Sequence, residues 1–383
     1  MKDWSTVTIV QRRLTHYRIP LFEMLRSELY KRGITLELLI GQGTFSELQK
    51  NDSGSLEWAK HVPTKYFLGG RFCWQPLYRY VKQTSLVIVT QENKLLANHL
   101  FMLFPRKFKL AFWGHGANLQ GNNPNGFKER FKRLTVNYVD WWFAYTRKTF
   151  NVVSAAGFPA DRITVLNNSV DTREYCRFKK SITPEEISEL RQSLGFRDGP
   201  VGVYIGSLYS DKRLDFLYDS VLVIRKKIPN FNLLVIGDGP ERSKVEAWTS
   251  SNTWVKWVGA RFDREKILYI SMAELILSPG AVGLGMLDSF ICGVPLLTTN
   301  CMNHGPEIAY LESGKNGLMT ENTINDYTTA AVKLLQDNDA LNVLRAGCAK
   351  SVQEYTLENM VFRFAEGIEH ALGNRTVGTN HAD

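Results

Sequence analysis

From residue 201 to residue 278 the chain repeats one unit: a short run of aliphatic and β-branched residues, a turn carrying glycine, then a helical stretch. The runs cover 201–206, 232–237, 255–259 and 274–278, and helical patterns fill 214–228, 242–250 and 264–271. Short strands separated by helices cannot close as hairpins, so this rhythm predicts a parallel sheet with helices on both faces. The first half repeats it more loosely. A strand over 7–11 leads through a basic turn with Arg12, Arg13, His16 and Arg18 into a helix over 20–32, which carries Pro20 in its first turn, and further strands follow at 36–40 and 85–90. Between 172 and 199 the chain is polar, and Thr183-Pro184 reads as a helix cap and first turn. The linker is placed there.

The fold class is therefore α/β, with two doubly wound, Rossmann-like domains and a ligand expected in the cleft that they face. The boundaries expected are 1–180 for an N-terminal domain completed by a C-terminal helix over 358–373, 181–357 for a C-terminal domain, and 374–383 for a disordered tail. At 383 residues and 44% hydrophobic, the chain can supply a core for each domain.

Ligands of open parallel sheets bind beyond the carboxyl ends of the strands. Four strand-end turns of the second half qualify, and each contains glycine: GSLYSDK at 206–212, GDGPE at 237–241, GAR at 259–261 and the segment SPGAVGLGMLDSFICGVP at 278–295. The last reads as a strand end, a turn with Gly280, Gly283 and Gly285, a short helix holding Asp288, and a Gly-Val-Pro stop. Such a turn lets backbone N–H groups approach a ligand, and the helix offers its positive end to phosphate or sugar oxygens. The same pattern also serves as a plain strand-to-helix connection. It does not suit a membrane span, because Pro279, the glycines, Asp288 and Pro295 would lie in hydrocarbon.

The net charge of +9 conceals an asymmetry: residues 1–180 hold 28 Lys and Arg against 13 Asp and Glu, leaving 19 against 25 for the remainder. The two halves therefore face different partners. From 101 to 150 the count is nine basic to two acidic, with interleaved aromatics, and 126–140 sets Phe127, Phe131 and Leu134 on one helical face. That amphipathic basic helix suits an anionic membrane surface, and equally the solvated outside of an ordinary domain. No nucleic-acid recognition motif accompanies it. Five scattered cysteines argue against a disulfide framework and read as small buried hydrophobes of a reducing compartment. Arg12 and Arg13 interrupt the N-terminal run before a signal-peptide core could form, so the expected location is cytoplasmic or peripheral at the inner face of a membrane. The chain's Asp337-Asn338-Asp339 falls between two C-terminal helical runs, where it reads as a helix cap and not a metal ligand.

These segments, taken in order, resemble the retaining, GT-B-type glycosyltransferases of family 4. YIGSLYSDKRLD at 204–215 is similar to that family's G-R-L-x-x-x-K-G-x-D, VIGDGPER at 235–242 to its V-I-G-D-G-P-E-R, and VKWVG at 255–259 to its V-x-F-x-G. QRRLTHYRIPLF at 11–22, GHG at 114–116 and ITVLNNSVD at 163–171 resemble N-domain segments of its bacterial surface-polysaccharide members. The resemblance implies hexosyl transfer from a nucleoside diphosphate sugar on the second domain to a glycan acceptor, carried on a lipid such as polyprenyl diphosphate. It implies no metal or other cofactor.

By that resemblance Lys212 faces the diphosphate, Asp288 receives ribose hydroxyls, and His115 stands nearest the reacting sugar. Gly206, Ser207, Gly237, Gly239, Arg261, Gly280, Val282, Gly283, Leu284 and Glu307 complete the donor side. Arg12, His16 and Arg18 serve the acceptor, the last two as partners for a phosphate or pyrophosphate. Two departures stand out. The first carboxylate of the family's E-x7-E motif falls on Gly280, and the arginine of G-R-L on Ser207. Two other functions remain compatible with the fold, a nucleotide-sugar epimerase or hydrolase and a catalytically inert membrane- or glycan-binding protein.

Overall fold

The computed structural model describes residues 4–49, 53–116, 135–196 and 198–373. Those residues divide into two units, the first running to 171 and resuming at 357, the second covering 172–356.

The first unit is built on strands β1 (Ser5–Gln11), β2 (Ile34–Ile40), β3 (Lys60–His61), β6 (Leu86–Thr90), β7 (Lys109–Gly114), β8 (Trp141–Ala144) and β9 (Ile163–Val165), with a small hairpin of β4 (Lys65–Phe67) and β5 (Phe72–Trp74) beside it. The order in the sheet is β3-β2-β1-β6-β7-β8-β9, and all pairs are parallel. Side chains alternate across it as a strand period requires. Ile9, Leu38, Ile88, Ala111 and Phe143 enter one apolar layer, whereas Val10, Leu39, Val87, Phe112 and Trp142 enter the other.

The helix Leu357–Leu372 belongs to this unit. Leu357, Met360, Val361, Phe364, Ala365, Ile368 and Ala371 recur at helical spacing and fill the first layer. Arg32 pairs with Glu369 at 2.6 Å, and Lys109 Nζ donates to the Ala371 carbonyl at 2.8 Å. At Gly367 a Cβ would stand 2.4 Å from Thr164 Oγ1, so only glycine lets the helix lie this close to the sheet.

The second unit is a six-stranded parallel sheet in the order β12-β11-β10-β13-β14-β15, made of β10 (Val201–Ile205), β11 (Asn232–Ile236), β12 (Val255–Trp257), β13 (Leu275–Leu277), β14 (Leu296–Thr299) and β15 (Gly317–Thr320). Helices Leu214–Lys227 and Ile324–Gln336 cover one face through Leu217, Val221, Ile224, Tyr327 and Ala331. The helix Arg173–Ser181 also lies in this unit, although a boundary at 180 assigns it to the first. The cause is packing: it lies on the helix Asp263–Ser271, and Lys179 Nζ donates to Ser271 Oγ at 2.9 Å. Thr183 caps the following helix in a box with Glu186.

Most of the basic aromatic stretch at 126–140 and the tail at 374–383 lie outside the described residues. Among the described residues no helix is long and apolar enough to cross a membrane.

Candidate functional site

In the second sheet the strand order reverses between β10 and β13, and the loops leaving those two strands enclose a cavity of about 250 Å³. Reversal points of this kind leave a crevice because successive crossovers run to opposite sides. Gly206, Ser207, Tyr209 and Lys212 line it from β10, Ala281, Val282, Gly283, Leu284 and Gly285 from β13, and Asp288 from the helix Gly285–Cys292. The N-terminal turn of that helix has no side-chain cap, and its first residue, Gly285, lines the same space.

Lys212 is largely buried, and its ammonium has one hydrogen-bond partner among the described residues, the Ala281 carbonyl. Two donors remain for a ligand. Burial pushes its pKa down, against the charge of Asp211, so an arriving anion would restore what desolvation removes. Its neighbour Arg213 takes a left-handed backbone, φ +56°, uncommon for a side-chain-bearing residue. Its Nη1 reaches the Pro279 carbonyl and Thr299 Oγ1, each at 3.2 Å, and so ties the two loops together.

Asp288 does not stand alone. Its Oδ1 accepts from Lys266 Nζ at 2.7 Å, with both side chains under 20% exposed, and the ammonium lies 4.3 Å from the centre of the Tyr175 ring. Burial opposes the Lys266 charge, yet Asp288 raises its pKa overall. Asp288 lines the cavity while holding this pair. Neither Lys266 nor Tyr175 was legible in the sequence: they lie 22 and 113 positions from Asp288 and belong to no local motif.

Gly280 corrects one expectation. It is not among the residues lining the cavity. A Cβ at this position would lie 2.4–2.5 Å from the Asp211 carbonyl oxygen and the Lys212 backbone, and Ala281 N donates to the same Asp211 oxygen at 2.9 Å. Glycine is needed because the loops are in backbone contact. That space admits no carboxylate.

The glycine-rich loop is gripped from its other side. The Val282 N–H donates to His304 Nδ1 at 3.2 Å, and the Gly305 N–H donates to the Val282 carbonyl at 2.7 Å. With Nδ1 accepting, the ring proton sits on Nε2, which reaches the Thr299 carbonyl at 2.7 Å and Cys301 Sγ at 3.4 Å. Cys301 is half-buried, not a core residue, and Cys176 likewise. Burial raises the Cys301 thiol, but hydrogen bonds from His304, Asn303 and Thr299 outweigh it and bring the pKa to about 7. Glu307 is 5% exposed and lies behind this loop, with Oε2 3.8 Å from the place of a Cβ on Gly283.

Gly237, Gly239 and Arg261 stand outside the cavity lining. The two glycines support the β10 loop: a Cβ on Gly237 would strike the Gly206 carbonyl at 1.9 Å, and one on Gly239 the Leu208 carbonyl at 2.5 Å. Arg261 pairs with Glu265 at 3.4 Å and lies over the Tyr269 ring. Asp337 accepts from the Ala340 N–H at 2.9 Å as the cap of the helix Asn338–Glu354. Among the described residues no group of three His, Cys, Asp or Glu could hold a metal ion.

In the first unit the acceptor-side candidates separate. Arg12 is held by Glu47 through two bonds of 2.6 and 2.7 Å and by the Tyr66 hydroxyl at 2.8 Å, so its fork is engaged. His16 is exposed beside Tyr17. Arg18 is buried against aromatic rings. His115 is exposed in the turn after β7, its ring edge-on to Tyr145 at 4.4 Å.

Comparison with known proteins agrees with this geometry. Residues 199–337 match the model of a family described as Glycosyl transferases group 1. The alpha-monoglucosyldiacylglycerol synthase of Acholeplasma laidlawii is 22% identical over 202 residues, which cover 51% of this chain and 49% of that protein. The chain spans about half the length of the curated relatives it matches. The Anabaena protein HepE in complex with UDP and glucose superposes with a TM-score of 0.66 at 15% identity, over 96% of this chain and 100% of that one. A putative UDP-N-acetylglucosamine 2-epimerase from Listeria monocytogenes does so with a TM-score of 0.63 at 12% identity, over 100% of both. The fold is GT-B, two Rossmann-like units built on parallel sheets.

Proposed function

We propose that this protein is a retaining glycosyltransferase that moves a hexosyl group from a nucleoside diphosphate sugar to a glycan acceptor, with the donor held at the reversal point of the second sheet. The observation that carries the reading is the joint placement of Lys212, Asp288 and an open helix N-terminus around one cavity. A diphosphate needs cations and N–H donors, and a ribose needs a carboxylate that accepts from hydroxyls. Both are within reach of one small ligand. The family match over the same residues supports it, as does the UDP and glucose complex of HepE.

In this reading the bond between the sugar C1 and the diphosphate oxygen breaks while Lys212 and the helix N-terminus stabilise the charge on the leaving group. The acceptor oxygen attacks C1 on the same face, and its proton passes to the departing phosphate. His115 donates to the sugar or to the charge developing on it. With no carboxylate at Gly280, the Val282–Leu284 backbone faces the hexose instead. No metal enters the reading, since Lys212 and backbone dipoles meet the diphosphate charge. The acceptor is proposed to be lipid-linked, at the inner face of a membrane whose anionic surface the basic first half contacts.

The epimerase likeness favours one alternative on the same scaffold. Incubation with donor alone and with donor plus acceptor, followed by NMR of the anomeric protons, separates the two. A new α-linked product that needs acceptor is expected for a transferase using an α-linked donor. A changed or hydrolysed sugar without acceptor would establish the alternative.

A further inference from the structure

The first unit buries a cation without a counter-charge. Arg18 is 8% exposed, and among the described residues its guanidinium makes neither an ion pair nor a hydrogen bond; Nη1 is sealed from solvent with no acceptor. The guanidinium carbon lies 5.2 Å from the centre of the Trp113 ring, 5.3 Å from Tyr17 and 5.8 Å from Tyr145. Ring faces attract a cation but carry no net charge, so its burial stays uncompensated. Trp113 is 2% exposed, and its Nε1–H is also without an acceptor. Guanidinium and indole N–H groups can only donate. Two buried donors, one of them a charged group lying over the other's ring, call for an acceptor that the described residues do not supply.

Their place in the fold points the same way. Arg18 closes the short turn His16–Arg18, which runs straight into the helix Ile19–Lys31, whose first turn holds no acidic residue. Trp113 lies at the end of β7, and Tyr145 directly follows β8. All three therefore stand at the carboxyl edge of a parallel sheet, on the side where such sheets receive ligands.

We infer that Arg18 and Trp113 form a binding site for a phosphate-type oxyanion, a phosphate ester or a diphosphate. A phosphate presents several acceptor oxygens, enough to take bonds from both side chains. Resting on the transferase reading, the anion belongs to the acceptor, because the donor diphosphate has its own place at Lys212. Of the three acceptor-side cations seen in the sequence, only Arg18 has this role, since Glu47 engages Arg12 and His16 lies at the surface.

The test is calorimetric titration of the full chain with inorganic pyrophosphate in a Lys212→Ala background, which removes donor-side anion binding. Arg18→Gln is expected to weaken pyrophosphate binding at least tenfold, Arg18→Lys and Trp113→Phe less. These two milder variants decide the matter if Arg18→Gln does not fold. Pyrophosphate affinity equal to that of the background in all folded variants overturns the site. Sedimentation with phosphatidylglycerol vesicles identifies the source: loss of vesicle binding in Arg18→Gln assigns a bilayer headgroup, and unchanged vesicle binding with lost pyrophosphate binding assigns a phosphate borne by the acceptor. Absence of nucleotide-sugar binding would remove the transferase reading and leave the anion site standing.

Discussion

A methyl group on Gly280 would meet backbone on two sides, and backbone cannot yield as a flexible side chain does. Gly280→Ala is therefore expected to destabilise the second unit by about 1–3 kcal/mol, the usual cost of overpacking, and to weaken nucleotide binding by separating the two loops. Gly285→Ala meets nothing within 4 Å, so urea denaturation should find it as stable as the wild type or slightly more so. Equal loss in both variants would contradict the backbone-contact account. Cys301 gives a second prediction at this scale. Alkylation by iodoacetamide should show a midpoint near pH 7 for Cys301, whereas burial pushes Cys348 up to about 11 and Cys292 up to about 12 and keeps both slow. His304→Ala should move the Cys301 midpoint upward.

Single residues also show where a sequence is opaque. Lys212 and Asp288 were picked out because each matches a local motif beyond a strand end, and the structure places both on one cavity. Gly280 was read as a ligand contact, since a glycine needed for a loop against loop looks the same in sequence as one needed for a loop against phosphate. The Lys266–Asp288 pair and the Val282–His304 bond join residues 22 positions apart, and no periodicity marks them.

At the scale of elements, the strands and helices named from the sequence end within one or two residues of the observed ones because their apolar periods are strong, whereas the short strands β4, β5, β8, β14 and β15 were not named. The helix Arg173–Ser181 was assigned to the wrong side of the boundary because nothing in its own residues says which unit it packs on. The helix Leu357–Leu372 returns to the first unit and supplies much of its core. Phe364→Ala should cost about 3–5 kcal/mol, read from the urea midpoint of the first unit. The short helix Phe45–Leu48 anchors Arg12 through Glu47, whose carboxyl the Arg12 hydrogen bonds hold far below the ordinary range, against the effect of burial. A lowered carboxyl pKa contributes stability that is fully present above the unfolded value of about 4.3 and is lost as pH falls through the folded one. Acid titration of the urea midpoint should therefore decline below about pH 4.3 in the wild type and more gently in Glu47→Gln, which starts lower at neutral pH.

For the whole molecule, the proposed function gives the two units different tasks: anion-bearing acceptor to the basic first, nucleotide to the second. The Lys212 cavity and the Arg18 cage both stand at the carboxyl edges of their sheets, where parallel sheets receive ligands. The measurement that tests the central claim most directly is isothermal titration of the wild type, Lys212→Ala and Asp288→Ala with a panel of nucleoside diphosphate sugars. The account predicts one nucleotide bound at one site per chain, with affinity at least tenfold weaker in each variant. No binding by any nucleotide, or binding that both substitutions leave unchanged, would contradict it.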